Sequence, residues 1–331
     1  IVDLPVALWL EADRMRNLRI TQAVFDKEKR VVDEERRNRF GNQPYGNVVP
    51  MLYAHAFTVS PYRHMPIGST RDLERATLGD VQSFYDTYYV PNNATVVITG
   101  HFDESQAVKW LEQYFGPLQD TGRPISRAYA SEPPQTSERI VKAFQNVALP
   151  AFVEGYHIPA EGSPVARPLQ LAAKILSGGD SSWLYRNLVY RTQAAVEIDC
   201  AANFMEEPGV FMISAVMNPG HTPQQGEAEV GALLERLKDG GISSEDLTRA
   251  KNETLRDDVL ARESAQGRAG VLGEDAVILG NPDLYNTGPG LALDVTPAEI
   301  QRAAQQYLVT KNETVVEVYP KQALKVNERR P

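Results

Sequence analysis

The chain has 331 residues, 42% hydrophobic and 23% charged, an ordinary globular composition with room for about two domains. Its net charge of −9 excludes an extended nucleic-acid groove, and its single cysteine, Cys200, excludes an intrachain disulfide and a cysteine-rich metal site. No apolar run reaches the length of a membrane-spanning helix.

The chain opens with apolar positions Val6, Leu8, Leu10 and Met15 set among charged ones, which predicts an amphipathic helix near 4–18. A sequence whose first residue, Ile1, already borders such an element is expected to have had a segment upstream. Further helices are expected near 21–40, 44–57, 77–89 and 104–115, with a β-branched strand at 94–100. The stretch 119–137, rich in Pro, Ser and Gly, reads as a linker. Strands follow near 138–146 and 150–158, then helices near 165–178 and 182–190 and a strand pair near 194–204 and 209–217. Cys200, in the apolar run AVEIDCAANF, reads as a small core residue. Asn218-Pro219-Gly220 is a strong turn signal. Helices are expected over 223–238, 243–264, 265–280 and 295–308, and the last strand over 313–319. Strands and helices are grouped rather than alternating, which argues for an α+β fold with antiparallel-rich sheets packed against helices.

Two stretches of this pattern match without gaps: TLGDVQSFYDTYYVPNNATVVITG from Thr77 and TPAEIQRAAQQYLVTKNETVVEVY from Thr296. They share Thr77/Thr296, Gln82/Gln301, Tyr88/Tyr307, Val90/Val309, Asn93/Asn312, Thr95/Thr314, Val96/Val315 and Val97/Val316. Each opens on a Thr with an acid three residues later, the pattern of a capping box, and runs helix, Asn-containing turn, strand. The repeat predicts two similar domains: residues 1–118 as the C-terminal part of the first, 119–137 as the linker and 138–331 as the second. The copies lie 219 residues apart. If the domains are of equal length, roughly 80 residues of the first precede Ile1.

LEADRMRNL, FDKEKRVVDEERR and SPYRHMPIGSTRDLERATLGDVQSFYDTYYVPNNATVVITGHFD together resemble the first domain of the insulinase/pitrilysin zinc peptidases. SGGDSSWLYRNLV, PGVFMISAVMNPG and GISSEDLTRAKNE resemble the second domain of their compact bacterial members. The resemblance covers nearly the whole chain in order. It implies a zinc endopeptidase in which two His of an H-x-x-E-H motif and a Glu from a later helix bind Zn²⁺, and the motif's own Glu is general base for the metal-bound water. That later helix carries two glutamates seven residues apart, which here are Glu28 and Glu35. Seven residues make about two turns, so both carboxylates share a face and Glu34 points elsewhere. The resemblance implies Glu35 as the third zinc ligand and Glu28 as a partner that orients a ligand. Read without it, the segment is a solvated helix whose acids pair with Lys27, Lys29, Arg30 and Arg36.

The sequence contains no H-x-x-E-H, and His55, His64, His101, His157 and His221 are not spaced to form one. The motif would fall in the roughly 80 residues that the repeat places upstream. This chain alone is therefore expected to be inactive and not to hold catalytic zinc. Many family members place an Arg and a Tyr of the second domain opposite the metal. In LVYRTQAAVEIDC the Arg is Arg191, while Val196 or Ile198 takes the Tyr position, and Tyr185 and Tyr190 are out of register. That departure implies a homo- or hetero-oligomer in which a related subunit supplies the Arg/Tyr pair. The resemblance implies peptides or unfolded protein as substrate and the bacterial periplasm or envelope as location, with the cytoplasm as the alternative. In GGDSSWLYRNL the glycines lack the Lys of a phosphate loop, so a turn with Trp183 and Leu184 buried is the simpler reading. The rival function is a non-catalytic family member acting as a structural or substrate-binding partner.

Overall fold

The computed structural model describes residues 3–119, 125–127 and 130–321, so part of the expected linker lies outside the described residues. Six helices come first: α1 (Leu4–Asn17), α2 (Gln22–Arg36), α3 (Val48–Ala56), α4 (Thr70–Arg75), α5 (Leu78–Tyr88) and α6 (Glu104–Phe115). Strands β1 (Arg139–Gln145) and β2 (Ala151–Ile158) follow, then α7 (Ala166–Ser177), β3 (Ala195–Asn203) and β4 (Gly209–Met217). The chain closes with α8 (Pro223–Lys238), α9 (Ser244–Ala261), α10 (Ala265–Val277), α11 (Leu284–Leu291), α12 (Pro297–Tyr307) and β5 (Glu313–Pro320). The fold is α+β, as expected.

The five strands form one sheet in the order β1-β5-β2-β4-β3, parallel between β1 and β5 and antiparallel elsewhere. Alternation along the strands sends side chains to two covered faces. Phe152, Tyr156, Phe211, Ile213 and Ala215 join the core of α7, α8 and α12, which includes Leu169, Leu176, Val230 and Ile300. Trp183 and Leu184 are buried in the same core, and the Arg236 guanidinium lies 3.9 Å from the Trp183 ring centroid. Val153, Val210, Val316 and Val318 face the other way, against Leu52, Ala56 and Phe57 of α3 and its C-terminus. Gly155 makes that contact possible, because a Cβ there would lie 2.9 Å from a Leu52 methyl and 3.0 Å from Val210. Polar contacts lock the same seam. Arg139 donates to the carbonyls of His55 and Ala56 at 2.8 and 2.7 Å, and the Tyr45 hydroxyl donates to Leu149 O at 2.9 Å.

The two repeat copies share local geometry. Thr77 and Asp80 exchange capping bonds of 2.8 and 3.3 Å, and Thr296 and Glu299 do so at the same distances. Asn93 donates to Tyr88 O at 3.0 Å and Asn312 to Tyr307 O at 2.8 Å. Gln82 and Gln301 each donate to a backbone carbonyl, of Ile20 and Lys238. The copies then diverge. Residues 313–320 become β5, whereas the strand expected at 94–100 is not formed. Its composition suits a strand, but among the described residues no strand lies alongside to accept its backbone hydrogen bonds, and an unpaired strand has little stability.

Candidate functional site

Thr21 caps α2 by accepting from Val24 N at 3.4 Å. The helix carries two adjacent stripes at the 3.6-residue period. Phe25, Lys29, Val32 and Arg36 form one, turned toward the segment 68–76. Lys29 Nζ donates to Glu74 O and Ala76 O at 2.9 and 3.3 Å, and Arg36 donates to Gly68 O and Thr70 Oγ1 at 3.2 and 2.7 Å. The second stripe is Val24, Glu28, Val31 and Glu35, with both valines about half exposed. Glu28 makes no ion pair or hydrogen bond among the described residues. Glu35 pairs with Arg39 at 2.9 Å, both side chains well exposed. None of the four cations expected as partners is used by Glu35. Glu34 points away, toward Arg37 at 3.7 Å.

These residues do not by themselves fit zinc. Among the described residues no three His, Cys, Asp or Glu side chains come together as a metal cluster. A structural or catalytic zinc needs at least three protein ligands, and the stripe of α2 offers only Glu28 and Glu35, the second already paired with Arg39.

Arg191 lies far along the chain, at the end of a π-helical turn, Tyr185–Arg191, that enters β3. Its guanidinium bonds Asn187 Oδ1 of the same turn. Asn187 and Thr192 in turn donate to Glu229 of α8 at 2.8 and 3.0 Å. Its hydrogen-bond partner is thus local and not on α2. Of the two candidates for the Tyr position, Val196 sits at a β-bulge and is exposed, and Ile198 is buried in the core.

The molecule is thus a sheet-and-helix unit with an amphipathic acid-bearing helix, α2, that leans on the later segment 68–76. Residues 75–254, more than half of the chain, match the family description "Peptidase M16 inactive domain". The chain belongs to the peptidase M16 family. It is 29% identical over 323 residues to a protein named zinc protease PqqE from Helicobacter pylori, covering 96% of this chain and 72% of that relative. A crystal structure of a Helicobacter pylori protease superposes with a TM-score of 0.91 at 29% identity, covering 96% of this chain and 78% of the other. Cytochrome b-c1 complex subunit 1 from Saccharomyces cerevisiae is 24% identical over 160 residues, 47% of this chain and 33% of its own length.

The M16 chain also holds buried acids that sequence reading passed over. Tyr156 OH lies 3.2 Å from Glu154 Oε2 and donates to Glu313 Oε1 at 2.9 Å, on the helix-covered face of the sheet. Burial pushes the Glu154 carboxyl well up, with Glu313 and Glu227 adding to the shift. Burial likewise lifts Glu227 to about 7, helped by Glu317 and Glu313. Glu317 is held by Lys142 at 3.2 Å and by Tyr319 OH at 2.7 Å. Period-2 alternation marks Glu154, Glu313 and Glu317 of the strands as inward-facing, which is the signal that could have found them; Glu227, on α8, carries no such mark. His157, on the opposite face, meets Ala56 O at 2.9 Å and the Phe57 ring edge-on; burial lowers its pKa. No described helix is long and apolar enough to cross a membrane.

Proposed function

We propose that this chain is part of a zinc-dependent endopeptidase acting on peptides or unfolded protein segments, to which it contributes Glu35 as a metal ligand with Glu28 orienting it. The observation that carries this reading is the stripe Val24, Glu28, Val31, Glu35. Acids kept only for solubility need no apolar residues between them, whereas exposed valines gain from another helix laid over the stripe. An H-x-x-E-H helix docked there brings two histidines to Glu35 and completes a three-ligand site. The 331 residues lack that motif, so in this reading they are inactive alone. Residues 1–118 are then the later part of the metal-bearing domain, 119–137 the linker and 138–331 the second domain. The matched hydrogen bonds of the two repeat copies support this division. Arg191 contacts substrate, a related subunit contributes the missing Tyr, and the protein works in the bacterial periplasm or envelope.

One observation favours a second reading, a non-catalytic partner subunit. Where the family Tyr is expected, the chain has a bulged valine and a buried isoleucine. Zinc stoichiometry separates the two. A polypeptide extended upstream through an intact H-x-x-E-H is expected to hold about one zinc per chain, the 331-residue chain none, and Glu35→Gln in the longer form to lose the metal. An extended protein without zinc, or Glu35→Gln with undiminished zinc, overturns the ligand assignment and leaves the subunit reading.

A further inference from the structure

Between α7, α10 and α11 lies a cavity of about 870 Å³ that the zinc reading does not use. Small-molecule sites run from about 300 to 1,000 Å³, and a single water needs only about 30 Å³ of that. Asp275 lines it with 8% of its surface exposed, and its Oδ2 is buried with no hydrogen-bond partner among the described residues. Arg262 Nε is buried there and also unpartnered, but the rest of that guanidinium is engaged: Nη1 donates to Asp258 O at 2.7 Å and lies 3.6 Å from the Asp258 carboxylate, and the group sits 5.2 Å from the Tyr285 ring centroid. Arg167 reaches across toward Gly288, its Nη2 3.7 Å from where a Gly288 Cβ would stand, and makes no ion pair or hydrogen bond among the described residues. Glu161 lines the same space.

A buried carboxylate with an empty lone pair is costly, as is a guanidinium without an acceptor. Asp275 and the arginines lie beyond direct pairing distance, so no hydrogen bond joins them, although both guanidinium groups favour the Asp275 carboxylate through space. A simple cation entering to serve Asp275 meets the unpaired Arg167, whereas Arg262 and Lys174 in the same lining are already held by Asp258 and Asp257. A simple anion serving Arg167 meets Asp275 and Glu161. An occupant with an ammonium and a carboxylate on one small frame satisfies both sets at once. We propose that this cavity binds the zwitterion of a free α-amino acid, its ammonium on Asp275 and its carboxylate on Arg167, with the remaining volume taking the side chain. The site lies in the sheet-bearing part of the chain and does not depend on the zinc reading.

The test is calorimetric titration of the 331-residue chain with glycine, alanine, leucine, glutamate and arginine, and with propylamine, propionate, alanine amide and N-acetylalanine as single-charge controls. Saturable binding of at least one amino acid is expected, with the controls at least about tenfold weaker. Asp275→Asn and Arg167→Gln should each weaken binding by about tenfold or more with an unchanged circular dichroism spectrum. If Asp275→Asn fails to fold, Arg167→Gln decides. No binding of any amino acid up to about 50 mM, equal binding of the amine or the acid alone, or variants that bind as the parent does would overturn the assignment.

Discussion

Glu132 fastens the segment before β1 to the turn after α3. Its carboxylate accepts from Thr58 N and Oγ1 at 2.8 and 2.7 Å and from the amides of Val59 and Ser60 at 2.9 Å each. Burial raises its pKa, but the bonds from Ser60, Val59 and Thr58 outweigh burial and hold it near 2 against 4.5 for the free group. A depressed folded pKa gives stability that is present above the free value and lost as pH falls through the folded one. Glu132→Gln is therefore expected to cost about 1 kcal/mol near neutral pH, after allowing for solvent screening, and to cost progressively less toward about pH 2 in urea titrations. Glu227 has the opposite sign. Its folded pKa, about 7, lies above the free 4.5, so stability is lost as pH rises through that window and the loss is complete above it. Glu227→Gln should stabilise by about 1–2 kcal/mol at about pH 8 and do nothing at about pH 4. A gain that is the same at both pH values would mean that charge is not the cause.

At the scale of elements, the seam between α3 and the sheet rests on a missing side chain. Gly155→Ala forces its new methyl against Leu52 and Val210 and should cost about 1–3 kcal/mol by overpacking. Leu52→Ala alone leaves a cavity and should cost about 2–5 kcal/mol. Because each change relieves part of the other's defect, the double variant should be less destabilised than the sum, which a double-mutant cycle in urea measures. Strict additivity would mean that α3 lifts from β2 instead of packing on it. The elements from Arg139 onward were legible from period and caps, since each strand there has neighbours to pair with. Helix α11 was not, because Gly288, Pro289 and Gly290 read as breakers while Pro289 lies inside it. The strand at 94–100 failed for the converse reason, as residue preference cannot supply a ladder partner. Glu28 and Glu35 were separable from an ordinary charged helix only through resemblance. The cavity around Asp275 was invisible because Glu161, Arg167, Arg262 and Gly288 are contributed by separate elements.

At the scale of the whole molecule, the two repeat copies live in different surroundings. Val315 and Val316 are buried in β5, which is paired on both sides by β1 and β2. Val96, the counterpart of Val315, is exposed, while Val97, the counterpart of Val316, is half-buried beside Gly273 of α10; Phe84 and Tyr89 of the same copy and Val6, Trp9 and Leu10 of α1 are exposed too. Tyr85 OH donates to Arg14 O at 2.7 Å and ties α5 to α1 at that point. Exposed apolar residues in this number suit a surface that other residues cover. On the proposed division into two similar domains, two strands of an upstream segment would flank residues 94–99, by analogy with β1 and β2. The 331-residue chain is then expected to bind an apolar dye such as ANS strongly and to self-associate with rising concentration. A polypeptide extended upstream should do neither, and its amides at 94–99 should exchange about a hundredfold more slowly as they enter a ladder. Equal dye binding and equally fast exchange in the two forms would mean that the second copy of the motif repeats a helix and a turn without repeating a domain, and α2 would lose the neighbour that the zinc site requires.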